Sequence, residues 1–119
     1  MNNMGDRISI SFVFDSEDES VTLFSHWGGR RVLSLVRHFL MELEKSCPPD
    51  TFDPLQRREP NTVMVDFIGW LATNEKLTPL ISSHDHYYLG KTDEDGDNSD
   101  NGHWVVELKT GAIIEREME

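Results

Sequence analysis

Ile8, Ile10, Phe12 and Phe14 alternate with Ser9, Ser11 and Val13. This period of two marks a half-buried strand of about eight residues whose Ile and Phe set faces the core. Asp15 to Ser20 is an acidic connector short enough for a hairpin, and Val21 to His26 forms the returning strand. Both faces of that strand carry apolar residues, Val21 and Leu23 beside Ser25 on one and Phe24 beside Thr22 and His26 on the other. The period therefore leaves the direction of His26 open. From Val32 the spacing changes: Val32, Leu35, Val36, Phe39, Leu40 and Leu43 form one broad stripe on a helix from about Arg30 to Lys45. At roughly 1.5 to 3 kcal/mol for each fully buried large side chain, this helix supplies a large share of the core. Pro48 and Pro49 end it.

Cys47 to Pro60, with Pro48, Pro49 and Pro54 inside it, reads as an irregular loop. A second helix starts near Asn61 or Thr62 and buries Val63, Met64, Phe67, Ile68 and Leu71, with Gly69 placed for a close helix contact. After Pro79 the chain is extended again. Tyr87, Tyr88 and Leu89 make a third strand, an acidic loop runs from Asp93 to Gly102, and Trp104 to Leu108 make the next strand. Lys109-Thr110-Gly111 then turns into Ala112, Ile113 and Ile114. The order β-β-α-α-β-β-β predicts one α+β domain over residues 1–119, an antiparallel sheet with two helices packed on it. Flexible segments are expected near 47–60 and 92–102.

Composition narrows the function more than the fold. The hydrophobic share is 37%, low for a globular chain, but its residues fall in phased groups and so predict folding rather than disorder. The formal net charge of −11 argues against general nucleic-acid binding, which needs clustered Lys and Arg. Solubility accounts for such a surface, and it also suits basic protein partners or a mimic of phosphate charge. The single cysteine, Cys47, makes no internal disulfide, and neither a membrane span nor a signal pattern is visible. A cytoplasmic setting is the expectation.

Candidate chemistry gathers at Ser25-His26-Trp27-Gly28-Gly29-Arg30-Arg31, where the strand pattern gives way to the helical one. A helix start offers backbone N–H groups to anions, and glycines admit a close approach. Arg30 and Arg31 oppose the helix dipole by roughly 0.3 to 1 kcal/mol each unless an anion is near. His26, Trp27, Gly28, Gly29, Arg30 and Arg31 are therefore the candidate contacts to a protein partner or an anionic small ligand. Trp27 reads as a core plug between sheet and helix, with a stacking platform as the other option.

Gly5-Asp6-Arg7 ahead of a strand, followed by Val21-Thr22-Leu23-Phe24-Ser25-His26-Trp27-Gly28-Gly29 and an amphipathic helix, resembles a family of small uncharacterised phage and prokaryotic proteins. These begin with Gly-Asp/Asn-Arg and carry Tyr-x-Tyr-x-His-Trp-x-Gly at the same place. The likeness covers roughly the first third of the chain, and Thr22 and Phe24 stand at the two tyrosine positions. The resemblance implies a phage or mobile-element context and brings no assigned activity.

Three further features bear on chemistry. His84-Asp85-His86, if extended, puts two imidazoles on one strand face, a spacing that suits a divalent metal if His26 or His103 completes the set. Asp93, Asp95 and Asp97 copy the first three ligands of a calcium loop, but Asn98 stands at the glycine position and Trp104 at the bidentate glutamate. That loop therefore reads as a mobile acidic segment. Arg57 and Arg58, next to Glu59, read as a solvated ion-paired set. Cys47 has no base nearby, and no nucleophile elbow or phosphate loop is present. The residues favour a non-enzymatic binding module without a cofactor. The alternative is a small metal-dependent hydrolase or nuclease using His26, His84, His86 or His103.

Overall fold

The computed structural model describes residues 5–46, 59–75 and 86–116. In chain order these form β1 (Ile8–Phe14), β2 (Asp18–Glu19), β3 (Thr22–Ser25), α1 (Arg31–Ser46), α2 (Pro60–Asn74), β4 (Tyr87–Gly90), β5 (His103–Glu107) and β6 (Ile113–Arg116). This is the expected α+β domain, two helices on one sheet, with one strand more than the alternation predicts. The extra strand, β2, lies inside the expected connector Asp15 to Ser20, and Ser20 separates it from β3: its Oγ accepts from the Phe12 N–H at 2.9 Å and donates to the Val21 carbonyl at 2.7 Å. A side chain thus stands in for part of the ladder, much as at a bulge. The hairpin itself turns at Asp15 and Ser16, both with positive φ (56° and 62°), the backbone that matches the strand twist. Glu107 caps the turn, accepting from the Asp15 and Ser16 N–H groups at 2.9 and 3.1 Å.

The sheet order is β4-β3-β1-β5-β6, with β2 also on β1. It is mixed, which corrects the expectation of a purely antiparallel sheet: β1 and β5 run parallel, Ser9 opposite His103 and Phe12 opposite Val106. Parallel neighbours need a crossover of about a dozen residues or more. The 91–102 segment provides it, leaving the β4 edge and passing β3 and β1 to reach β5. A loop that looked like a simple connector therefore sets the topology.

One sheet face carries Ile8, Ile10, Phe12, Leu23, Val106 and both helices. Phe12 lies edge-on to Phe39 of α1 (6.3 Å between ring centroids) and to Phe67 of α2 (5.9 Å), so both helices meet the sheet at one ring. Val32, Val36, Phe39, Val63, Met64, Phe67 and Leu71 are buried as their spacing predicts. Leu40, Leu43, Phe14 and Ile68 are half-buried at the margin of the core, and Leu33 joins it from outside the stripe. Gly69 makes no close helix contact: it is exposed, with no atom within 4 Å of where a side chain would start.

The opposite sheet face presents Ser9, Ser11, Thr22, Phe24, Tyr88 and His103. Ser9, Ser11, Thr22, Phe24 and His103 are buried although no helix among the described residues covers them, because the 91–102 crossover lies there. Gly96 passes against the stacked rings of Phe24 and Tyr88 (5.0 Å), and the Asn98 amide donates to Ser9 Oγ at 2.8 Å.

Candidate functional site

The turn between β3 and α1 is closed from the chain's own side. The Gly28 N–H donates to Ser25 Oγ at 3.0 Å and the Gly29 N–H to the Asp6 carbonyl at 2.8 Å. The Val32 and Leu33 N–H groups donate to the Gly29 and Arg30 carbonyls at 3.1 and 3.0 Å. These four N–H groups are among the donors that a helix start offers to an anion, and each is engaged within the chain. Gly29 has a φ of +56°, and a side chain there would overlap the Asp6 carboxylate. Asp6 is thus the acid at this helix start, held in place by Asn101 Nδ2 at 2.7 Å.

The segment Gly5-Asp6-Arg7 packs on the His26-Trp27 turn. The Asp6 N–H donates to the His26 carbonyl at 2.7 Å, which joins Gly5-Asp6-Arg7 to the His26-Trp27 turn. The contact is a strand entry fastened to a turn. Arg7 continues outward to the crossover, its Nη1 2.5 Å from Asp97 and its Nε 3.0 Å from Asp100. The hydrogen bond to Asp100 raises the Arg7 pKa. Hydrogen bonds from Ser99 and Arg7 hold the Asp97 and Asp100 carboxyls below the usual range, Ser99 leading at Asp97 and the Arg7 N–H at Asp100.

The arginines also have internal partners. Arg31 pairs with Glu75 at the end of α2, and the Arg30 guanidinium lies over the Trp104 ring, 5.1 Å from its centroid. Glu75 and Trp104 are far from the turn in sequence, so only the fold brings these partners in. Trp27 is 48% exposed, which corrects the core-plug reading. Val32 and Leu33 already fill the space at the helix start, and the indole lies outside with its ring against His26 (4.6 Å).

His86 is 5.6 Å from His26 between ring centroids and 5.8 Å from Tyr88. Trp27, His26, His86, Tyr88 and Phe24 therefore form a continuous aromatic row. His86 holds a φ of +54°, a left-handed backbone uncommon outside glycine. The sequence offers His26 as a ligand that could complete a set with His86, and the β3–β4 ladder brings the two rings together, with Ser25 opposite Tyr87. Phe24 and Tyr88 are the members of the row that spacing gave no reason to select.

His103 does not join this row. Both ring nitrogens of His103 are engaged, Nδ1 at 2.7 Å from Ser9 Oγ and Nε2 at 2.9 Å from Ser11 Oγ. His84, Arg57, Arg58 and Cys47 lie outside the described residues. The calcium-like aspartates diverge: Asp93 meets Arg116 at 3.4 Å, Asp95 accepts the Lys91 and Thr92 N–H groups, and Asp97 takes Arg7 and Ser99. Each carboxylate serves a different donor of the chain, so the alternation in sequence does not become a cage. Among the described residues no group of three or more His, Cys, Asp or Glu side chains is placed to hold a metal ion.

No helix among the described residues is long and apolar enough to cross a membrane. Comparison of the chain with family models, with curated proteins and with solved structures finds no match in any of the three.

Proposed function

We propose that this protein is a non-enzymatic binding module of phage or mobile-element type that docks a protein partner through Trp27 and the aromatic row behind it. The observation that carries this reading is Trp27: a large aromatic side chain half in solvent, on a turn fixed by Asp6 and Ser25. Exposed aromatic side chains on pre-ordered backbone are the residues that dominate binding energy at protein interfaces. A net charge of −11 favours a partner presenting basic residues. The protein form of the reading is preferred to the anionic small ligand because the Gly28, Gly29, Val32 and Leu33 N–H groups already donate within the chain. The mobile-element context rests on the Gly5-Asp6-Arg7 and His26-Trp27-Gly28-Gly29 residues alone.

The test is capture from host lysate with the tagged wild type against Trp27→Ala, each with its unfolding midpoint measured. The expected result is a basic protein retained by wild type and lost from the variant, with stability changed by less than about 1 kcal/mol. Equal capture by both proteins overturns the reading. Amide shifts confined to Gly28 to Val32 on adding phosphate or a nucleotide would restore the small-ligand form instead.

A further inference from the structure

On the sheet face away from the helices, His103 is 0% exposed and lies between two buried serines of β1. The partners at each end settle where the protons are. The Ser11 hydroxyl donates to Glu19 Oε2 at 2.6 Å, so Ser11 Oγ has only lone pairs to offer the imidazole, and Nε2 carries the hydrogen. At the other side Asn98 Nδ2 donates to Ser9 Oγ at 2.8 Å, which leaves the Ser9 hydroxyl hydrogen for a bare Nδ1. The run Asn98, Ser9, His103, Ser11, Glu19 thus points one way throughout. It closes only with a neutral imidazole protonated at Nε2.

The groups facing His103 come from every neighbouring element. β1 offers Ser9 and Ser11, β2 offers Glu19 with Oε2 3.7 Å from Nε2, the crossover offers Asn98 and Asp93, and β6 offers Arg116. Arg116 reaches Glu19 at 2.8 Å and Asp93 at 3.4 Å, so both carboxylates already share a guanidinium. Burial pushes the imidazole pKa down, with Asp93 and Glu19 opposing and Arg116 adding to the fall.

We propose that His103 is a pH-sensitive lock on the 91–102 crossover, which its neutral form holds to the sheet through Ser9 and Asn98 and its protonation releases. A proton on Nδ1 turns that nitrogen from acceptor into donor. Ser9 Oγ then receives two N–H groups while its own hydrogen loses the acceptor it had, inside a region without water contact. Lifting of the crossover relieves the conflict, because it lets water accept the orphaned Ser9 hydrogen. The released segment includes Asn101, which holds Asp6, so the effect extends to the Gly29 turn.

The experiment is a titration of the labelled wild-type protein from about pH 8 to about pH 4, a range that covers ordinary histidine and carboxylate values. Imidazole nitrogen shifts report the His103 tautomer, and exchange protection of the Asn101 and Gly102 amides, which donate to the Arg7 and Asn98 carbonyls, reports the crossover. The expected result is the Nε2–H tautomer at neutral pH and a single midpoint below 6.5, the ordinary value. Protection at both amides falls by about tenfold or more at that midpoint, as local opening becomes easier. His103→Gln keeps a neutral donor and acceptor at the ring position, and should abolish the step while keeping the protection. An Nδ1–H or charged imidazole at neutral pH overturns the proposal. So does titration of His103 without loss of protection, or loss only at lower pH together with Asp97 and Asp100. Should the Gln variant fail to fold, the wild-type titration decides alone.

Discussion

At residue scale, the difference between Phe39 and Trp27 separates core from surface. Phe39 touches Phe12, Phe67 and Trp70 and is 4% exposed. Phe39→Ala should cost about 3 to 5 kcal/mol, as large aromatic truncations in packed interiors do, measured by denaturant unfolding. A loss under about 1 kcal/mol would remove it from the core. The helical period gave Phe39 its place, because a stripe on an amphipathic helix faces the sheet whatever the topology. It could not place Trp27, which stands before the helix and outside any period. Gly29 offers a second comparison. Gly29→Ala and Gly111→Ala both put a side chain on positive φ (+56° and +82°), but only at Gly29 does it also meet the Asp6 carboxylate. Backbone strain alone costs about 1 kcal/mol, so Gly29→Ala should be the more destabilising of the two by thermal unfolding. Equal losses would mean that Asp6 moves aside freely.

At element scale, the 91–102 crossover is where composition and structure part most. Its acids read as a solvated run, since sequence spacing cannot reveal that Arg7 and Arg116 would converge on them from elsewhere. The helices and most of the strands were legible, because periodicity is local. Register is not local: Ser9 and Ser11 mark a polar strand face, but nothing in their spacing sets them beside His103. Arg7→Met removes the guanidinium from Asp97 and Asp100 while keeping a long side chain. Amide exchange between Asp97 and Gly102 should quicken severalfold, whereas α1 amides such as Val36 and Phe39 stay protected. Uniform quickening across both would show instead that Arg7 supports the whole fold.

At the scale of the whole molecule, stability depends on pH through groups whose folded pKa is lowered. His103 is driven down by burial from 6.5, so between its unfolded and folded values the unfolded chain binds the proton and the native chain does not. Stability is therefore full above that window and falls as pH drops from about 6.5 through it. Glu19 is pulled both ways, burial raising its pKa and the Arg116 and Ser11 hydrogen bonds together holding it below 4.5. It adds a second loss as pH falls past its ordinary value, as do Asp97 and Asp100 past 3.8. Urea midpoints taken at intervals between about pH 7.5 and about pH 3.5 should decline in two stages, and a rise between about pH 7 and about pH 5 would contradict the sign. The parallel pairing of β1 with β5 has one more consequence, in the time order of synthesis. When a ribosome has extruded the chain through β4, the first hairpin, both helices and the β4 edge exist, yet one side of the central strand still has no neighbour. Its free N–H and C=O groups are an invitation to another nascent chain until His103 to Glu107 emerge and fill the gap. A chain stopped after Gly90 should accordingly collect in the insoluble fraction while the full chain does not. The strand that is made first is among the last to be enclosed, and the folding rate should be that of a non-local pairing rather than of a hairpin.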